Sequence, residues 1–207
     1  MLLLNTAYFP PIEYFAQLAK YSFFYLEACE NYRKQSYRNR CYFYGASGKE
    51  MLQVSISHIG EGKPVPIRKV PVDYSTPWVI RTQRAIDSAY RTSAYFEYYR
   101  DSLFSILDSK PEFLWDLNLN LIRYFIEKCG LRTEIRFTEE LIREYPDGTQ
   151  DLRDIIHPKK ESSFGKEKPY FQVFSGKYGF IPNLSIMDLL FNEGPDSISY
   201  LRTSSRL

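Results

Sequence analysis

The run LLLNTAYFPPIEYFAQLAKYSFFYLEAC, residues 2–29, contains the elements that set the fold. Its first part, 2–9, is apolar and ends at two prolines, which is typical of a buried strand that enters a tight turn. Apolar side chains then recur at helical spacing over 12–19, and 23–29 is a second apolar run of strand length. Strand, helix and strand make a βαβ unit, in which the two strands lie parallel with a right-handed crossover.

The βαβ unit places two loops at one edge of the predicted sheet. The turn 7–14 follows the first strand, and the loop 30–40 follows the second. Both loops leave the carboxyl ends of parallel strands, which is where open α/β sheets bind ligands. We therefore expect a ligand site between these two loops.

The loop 30–40 is the best binding candidate because it combines four cations with neutral amide and hydroxyl donors. These residues are Arg33, Lys34, Gln35, Ser36, Arg38, Asn39 and Arg40. Arginine presents a planar fork that matches phosphate or carboxylate, and neutral donors fix a ligand's orientation. The loop predicts an anion clamp for a phosphate or sugar-phosphate group. The alternative is a solvated basic loop, because runs of charge usually only face water.

Three further residues lie near the same predicted edge. Glu27, at the end of the second strand, is predicted to orient one of the loop arginines or to act as a base, with a buried structural ion pair as the alternative. Tyr8 and Tyr14 in the first loop are candidates for stacking on a nucleobase or a sugar ring. Core packing is the alternative for both tyrosines.

The remaining sequence predicts a hairpin followed by helices. Period-two alternation on both sides of the turn 45–48 indicates the hairpin, and two prolines restrict 65–72 to an edge strand or an extended arm. Helices are predicted from residue 78 and over 94–107, 117–129, 139–145, 151–156 and 183–194, with an exposed, mobile, lysine-rich loop over 158–169 and a strand over 170–174. The predicted fold class is α/β, with an N-terminal βαβ unit, a mixed sheet of a parallel core plus the hairpin, and helices in the C-terminal half of a single domain, 1–207.

Composition limits the partners and the compartment. Lys and Arg number 27 against 25 Asp and Glu, a net charge of +2, so nucleic acid is not expected as a partner and anion binding must be local. Three cysteines without CxxC spacing indicate a reducing compartment rather than a disulfide framework. No secretory signal and no membrane span are recognised, so a cytoplasmic location is expected.

Common catalytic and cofactor signatures are missing from the sequence. His58 and His157 lack ligand spacing, so no metal site is predicted. There is no Gly-x-Ser-x-Gly elbow, no dinucleotide fingerprint and no Walker loop. No cofactor can be assigned from the residues.

Four segments resemble the WbqC-like family: AYFPPIEYF, ENYRKQSYRNRC, TPW followed by AIDSAYRTSAYFEYY, and PNLSIMDLLFNEG. Their order runs from the first strand almost to the C-terminus. The family takes its name from a member associated with gene clusters for O-antigen and other surface polysaccharides. The resemblance implies a transferase that places a glycyl or other acyl group on an amino sugar. By resemblance, recurring polar positions fall on Tyr8, Pro10, Tyr14, Gln35, Arg38, Asn39, Arg40, Arg84, Tyr90, Tyr95, Phe96, Asn183, Ser185 and Asp188.

The sequence departs from the family pattern at two places. Many relatives have Gln-Pro before the tyrosine where Thr6 and Ala7 stand here, and many have a His after the Trp where Arg81, Thr82 and Gln83 stand here. If that His is the general base, this branch lacks it.

Two functions from different classes remain open at this point. The first is a transferase or amide-forming ligase acting on a nucleotide-linked or phosphorylated sugar, with loop 33–40 on the phosphates, Glu27 or Asp188 as base or orienter, and Arg84 and Tyr95 among the substrate-binding residues. The second is a non-catalytic protein of polysaccharide assembly that binds a glycan or a partner, for example as a homodimer. Single-stranded nucleic-acid binding is the least favoured alternative.

Overall fold

The computed structural model describes residues 1–58, 64–141, 145, 147–162 and 168–204. Its N-terminal unit consists of β1 (Leu2–Leu4), α1 (Ile12–Leu18) and β2 (Phe23–Leu26). β1 and β2 pair in parallel, with Leu3 opposite Tyr25, so the predicted βαβ unit is confirmed. β1 is shorter than its apolar run, because beyond Leu4 the chain turns to a different partner: the Tyr8 amide donates to the carbonyl oxygen of Tyr37 at 2.8 Å.

The predicted hairpin is confirmed and forms a sheet of its own. It consists of antiparallel β3 (Arg40–Gly45) and β4 (Gly48–Gln53). The segment 65–72 is an extended arm rather than an edge strand, since it makes isolated bridges and contains a short 3-10 helix over Ile67–Lys69. Its prolines lack the N–H groups that a regular ladder needs.

Two strands that the sequence did not predict, β5 (Glu134–Phe137) and β6 (Gln150–Asp151), complete a four-stranded parallel sheet of order β5-β2-β1-β6. The α/β class is therefore confirmed. The helix predicted over 151–156 is wrong, because the Leu152 amide extends the pairing to β1 by donating to Leu3 and the chain then turns. Of the helix predicted over 139–145, residues 139–141 and 145 are not helical, and 142–144 lie outside the described residues.

Helices form most of the C-terminal half. They are α2 (Trp78–Tyr90), α3 (Phe96–Asp108), α4 (Leu114–Lys128), α5 (Ser175–Tyr178), α6 (Ile186–Glu193) and α7 (Ser197–Ser204). The four long helices predicted from residue 78 and over 94–107, 117–129 and 183–194 are confirmed as α2, α3, α4 and α6. The Ser185 hydroxyl caps α6 by accepting from the Met187 amide at 3.4 Å.

The strand predicted over 170–174 is wrong. Phe171 is 63% exposed, and the side-chain amide of Gln172 bonds both backbone groups of Ile181, which closes a loop in place of a ladder. Part of the predicted loop 158–169 is described and is mostly exposed, while 163–167 lie outside the described residues.

One hydrophobic core connects the parallel sheet, the hairpin and the helices. Its fully buried large side chains include Tyr8, Phe9, Tyr14, Phe15, Phe24, Tyr44, Tyr90, Phe96, Phe125 and Phe191. Apolar burial on this scale is the main stabilising contribution to the fold. Among the helices of the described residues, none has the length and apolar character that crossing a membrane requires.

Candidate functional site

A cleft of about 560 Å³ opens at the carboxyl edge of the parallel sheet, which is the edge where the sequence predicts a ligand site. It is lined by Asn5, Glu30, Asn31, Arg33, Leu141, Asp151, Arg153 and Asp154. Asn5 follows β1, Glu30 follows β2, and Arg153 follows β6. Three parallel strands therefore direct polar side chains into one cleft, and ligand binding there stays a prediction.

Two parts of the loop 30–40 differ in their burial and in their contacts. We call 36–40 the inner half and 33–35 the outer half. In the inner half, Arg38 is only 4% exposed, and its Nε donates to Oε1 of Glu30 at 2.9 Å while its Nη2 contacts Oε2. Asn5 Nδ2 also donates to Glu30 Oε2, at 2.7 Å. Arg38 is thus neutralised within the protein, by a carboxylate that lines the cleft.

Glu30 is held in a mostly buried position. It is 7% exposed, and burial raises its pKa, while the hydrogen bond and the charge of Arg38 oppose that rise. Carboxylates with a raised pKa are frequent among catalytic groups. Sequence reasoning missed Glu30, because a single acidic residue at the start of a basic loop is not a recognisable motif.

The other inner-half candidates also contribute to structure. Asn39 is 2% exposed, and its side-chain Nδ2 donates to the carbonyl oxygen of Val54 at 3.4 Å. The backbone carbonyl oxygen of Asn39 accepts from the Val54 amide at 2.9 Å. Arg40 is the first residue of β3 and is half-buried. These contacts join the end of the loop to the hairpin.

The outer half faces solvent at the rim of the cleft. The side chain of Arg33 is 64% exposed and pairs with Asp154, Nη1 to Oδ1, at 2.6 Å. Lys34 is exposed, and Gln35 has a left-handed backbone, φ 58°, with its Oε1 accepting from Nζ of Lys159. The anion-clamp prediction therefore remains open for the outer half, where cations are accessible.

Glu27 is fully buried beneath the cleft and bonds an arginine, although not one of the loop 30–40. Its Oε2 accepts from Nη1 of Arg153 at 2.7 Å, and its Oε1 accepts from the Thr138 hydroxyl at 2.6 Å and the Cys29 amide at 2.9 Å. This geometry agrees with an orienting role or a structural ion pair. A base in contact with substrate would need an exposed oxygen.

Arg153 is a second functional candidate that sequence reasoning missed. Besides Glu27, its Nε and Nη2 donate to the carboxylate of Asp151, at 2.9 and 2.6 Å. Burial alone would raise the pKa of Asp151, but the hydrogen bonds from Arg153 bring it below its ordinary value. The DLRD sequence lies in a segment predicted to be helical, so only the pairing of β6 with β1 reveals its position.

The cleft lining therefore mixes both signs of charge. Three carboxylates, on Glu30, Asp151 and Asp154, stand against two guanidinium groups, on Arg33 and Arg153. Such a surface suits a ligand that carries an anionic group and a cationic or strongly polar group together.

The structure does not bring the tyrosine candidates to the cleft surface. Tyr8 is fully buried, and its ring packs nearly perpendicular to the rings of Phe9 and Trp78. Tyr14 is 2% exposed, and its hydroxyl donates to the carbonyl oxygen of Asn5 at 3.0 Å. Both rings pack in the core, which agrees with the packing alternative and leaves neither face open for stacking.

Asp188 lies in the first turn of α6 and is fully buried. Its carboxylate accepts from the Tyr90 hydroxyl at 2.9 Å, the Tyr170 hydroxyl at 2.5 Å and Gln172 Nε2 at 2.9 Å. Burial raises its pKa to about 6, and these three hydrogen bonds oppose the rise. None of the three donors lines the cleft.

Arg84 and Tyr95 also lie away from the cleft lining. Arg84 is exposed on α2, and Tyr95 precedes α3 with its ring packed closely over Gly194. The structure therefore gathers Glu27, Arg33, Lys34, Gln35 and Arg38 around one edge of the sheet and leaves the helical candidates elsewhere.

These features define an α/β protein with a charged cleft at the carboxyl edge of a parallel sheet. The model of the WbqC-like protein family matches residues 6–163, which is most of the chain, and the chain belongs to this family. The match covers every cleft-lining residue except Asn5, and it ends before Asp188. No curated protein and no solved structure matches the chain.

Proposed function

We propose that this protein is an enzyme of surface-polysaccharide biosynthesis that transfers an acyl or aminoacyl group to the amine of a phosphorylated or nucleotide-linked amino sugar. The observation that carries the proposal is the cleft, in which guanidinium groups and carboxylates from three strand ends converge. The polysaccharide context comes from what the family resemblance implies.

The outer half of the loop supplies the contact for the sugar phosphate. The ion pair between Arg33 and Asp154 has both side chains about two-thirds exposed, 64% and 65%. Exposed ion pairs contribute little to stability. A phosphate oxygen can therefore replace Asp154 on Arg33 at small cost, which also releases the Asp154 carboxylate for the ligand's amine.

The deeper carboxylates supply the chemistry. The sugar nitrogen attacks the carbonyl carbon of an activated acyl donor, either a thioester or an acyl phosphate. The carbon–nitrogen bond forms, the bond to the thiolate or phosphate breaks with its electron pair on the leaving group, and the nitrogen gives one proton to a carboxylate. Glu30 suits the proton transfer because, unlike Glu27, it lines the cleft, and because burial raises its pKa. Arg153, oriented by Glu27 and Asp151, provides fixed positive charge for the oxyanion that forms on the carbonyl.

Calorimetry of the binding of UDP-glucosamine and of UDP-glucose tests the proposal. The two compounds differ at one position of the sugar, where the first has an amine and the second a hydroxyl. We expect the amino sugar to bind more tightly and Arg33→Ala to weaken it about fivefold, the effect of one exposed charge contact. Arg132→Ala is the matched control, because Arg132 is exposed just before β5, at the opposite edge of the sheet. Equal affinity for the two sugars, or equal effects of the two variants, would contradict the proposal.

A mass-spectrometric assay then tests group transfer. UDP-glucosamine is incubated with acetyl-CoA in one arm, and with glycine, ATP and Mg²⁺ in the other, so the two arms separate thioester from acyl-phosphate-type donors. The product expected is the N-acylated sugar nucleotide.

A non-catalytic glycan-binding protein of polysaccharide assembly is the second candidate. One observation favours it: each carboxylate that lines the cleft is already bonded to an arginine, in the pairs Glu30 with Arg38, Asp151 with Arg153, and Asp154 with Arg33. Such a site can hold a sugar without a free base. Tight binding with no acylated product in either arm would favour this candidate.

A further inference from the structure

We infer that residues 157–160 form the second half of a diphosphate subsite at the rim of the cleft, facing Arg33 and Lys34. The inference rests on the proposed function, since it locates the phosphate group of the same ligand. It assigns this subsite to His157 and to the first residues of the segment 158–169, which the sequence presented only as a lysine-rich loop.

Two contacts join the two segments across more than a hundred residues of chain, and a third holds Lys160 next to Asp154. Arg33 bonds Asp154 at a sequence separation of 121, and Lys159 Nζ donates to Oε1 of Gln35 at a separation of 124. Lys160 Nζ donates to the backbone carbonyl oxygen of Asp154 at 2.7 Å. The two segments therefore form one continuous rim beside the cleft.

The lysines on this rim keep their charge uncompensated by their own hydrogen bonds. Lys159 bonds a neutral amide oxygen and Lys160 bonds a backbone carbonyl oxygen. Arg38 differs, because the Glu30 carboxylate neutralises it in the interior. An anionic ligand gains more from an uncompensated exposed cation than from an arginine that must first give up its partner.

The pKa of His157 is affected by the positive charges around it. Its pKa is lowered by burial first, and then by the charges of Lys160, Lys159 and Arg38, while Asp154 acts in the opposite direction. The ring is therefore neutral at neutral pH. Its Nδ1 accepts from the Lys159 amide at 3.2 Å, which leaves the proton on Nε2 as a donor for a phosphate oxygen.

The charge of the rim matches a diphosphate. Arg33, Lys34, Lys159 and Lys160 stand against Asp154 and the neighbouring Glu161, an excess of positive charge. With the carboxylates of Glu30 and Asp151 deeper in the cleft, the site has a basic rim and an acidic interior. In a nucleoside diphosphate linked to an amino sugar, the negative diphosphate would lie at the basic rim and the positive amine at the acidic interior.

The test measures binding of inorganic pyrophosphate and UDP by calorimetry to the wild type and to Lys159→Ala/Lys160→Ala. We expect about twenty-fivefold weaker binding of both compounds in the variant, the product of two fivefold effects of exposed charge contacts, and a shallower dependence on salt. The control is Lys20→Ala/Arg132→Ala, which removes the same charge from exposed positions that precede β2 and β5, at the other edge of the sheet. The control should bind within about twofold of the wild type.

Equal affinities of the two double variants would overturn the inference, as would a wild type that binds neither pyrophosphate nor UDP. Binding of UDP-glucosamine in preference to UDP-glucose, measured in the same variants, separates this failure from failure of the proposed function. If that preference is kept while the lysine variant binds UDP like the control, the subsite is wrong and the proposed function stands.

Discussion

Two buried carboxylates in this protein are held by opposite means. Glu30, at the cleft, is bonded to the buried cation Arg38 and to Asn5. Asp188, under the C-terminal helices, accepts from Tyr90, Tyr170 and Gln172, and none of these three donors is charged. Burial raises the pKa of both groups. The two sites differ in what opposes the effect of burial: at Glu30 it is a cation with its hydrogen bonds, and at Asp188 it is hydrogen bonds from neutral donors alone.

The largest expected effect comes from removing the cation. Arg38→Ala leaves Glu30 buried without its charged partner, and we expect the free energy of unfolding to fall by about 3–5 kcal/mol. Urea denaturation at neutral pH measures this loss. The double variant Arg38→Met/Glu30→Leu should recover much of it, because apolar residues of similar volume can replace a buried pair. A loss below about 1 kcal/mol in the single variant would place this pair with exposed ion pairs and remove the contrast with Asp188.

The next effect is the pH dependence that Asp188 imposes. Its pKa is about 6 in the folded protein against an ordinary 3.8, so the folded state holds this proton more tightly than the unfolded state. The stability from this proton is fully present below the ordinary value and is lost as pH rises through about 6. Relative to Asp188→Asn, the wild type should lose up to about 3 kcal/mol between about pH 4 and pH 7, at about 1.4 kcal/mol for each pKa unit.

Denaturation of the wild type and Asp188→Asn across that pH range measures the difference directly. The difference between the two proteins cancels the titration of the groups that they share. A flat difference would mean that Asp188 keeps an ordinary pKa, and it would remove the distinction between neutral and cationic partners.

Removing one neutral donor of Asp188 should have a smaller effect on stability. Tyr90→Phe removes the hydroxyl that donates to Asp188 and that accepts from the Tyr44 amide at 3.2 Å. We expect a loss of about 1–3 kcal/mol above the pKa of Asp188, with a smaller loss below it, where the carboxyl is neutral. The midpoint of the pH profile should also rise, because the Tyr90 hydrogen bond lowers the pKa of Asp188. Tyr98→Phe, at a 79% exposed tyrosine, is the control.

The elements that could be predicted from the sequence are those with a local signal. Apolar runs and helical spacing are local signals, so they were sufficient for the βαβ unit, the hairpin and the four long helices. The strand β6 has only two polar residues, Gln150 and Asp151, and exists through its pairing with β1. The position of Arg153 depends on that pairing, and no local pattern encodes it.

The same limit applies within the loop 30–40. Arg33 and Arg38 are one residue type, five positions apart, and the sequence assigned both to one anion clamp. The Ser36 hydroxyl bonds the Arg33 carbonyl oxygen at 2.7 Å and turns the chain between them. Which arginine meets Glu30 and which meets solvent is then decided by the three-dimensional position of β2 and the hairpin.

The smallest expected effect on stability is that of Arg33→Ala. Its ion pair with Asp154 is as short as a buried one, 2.6 Å, but both side chains are mostly exposed. Water solvates the remaining Asp154 carboxylate in the variant, so we expect a change within about 0.5 kcal/mol that shrinks further with added salt. Denaturation of Arg33→Ala beside Arg38→Ala compares two arginines of one loop in one experiment. If Arg33→Ala were as destabilising as Arg38→Ala, the outer half of the loop would be structural, and its cations would no longer be available to a phosphate.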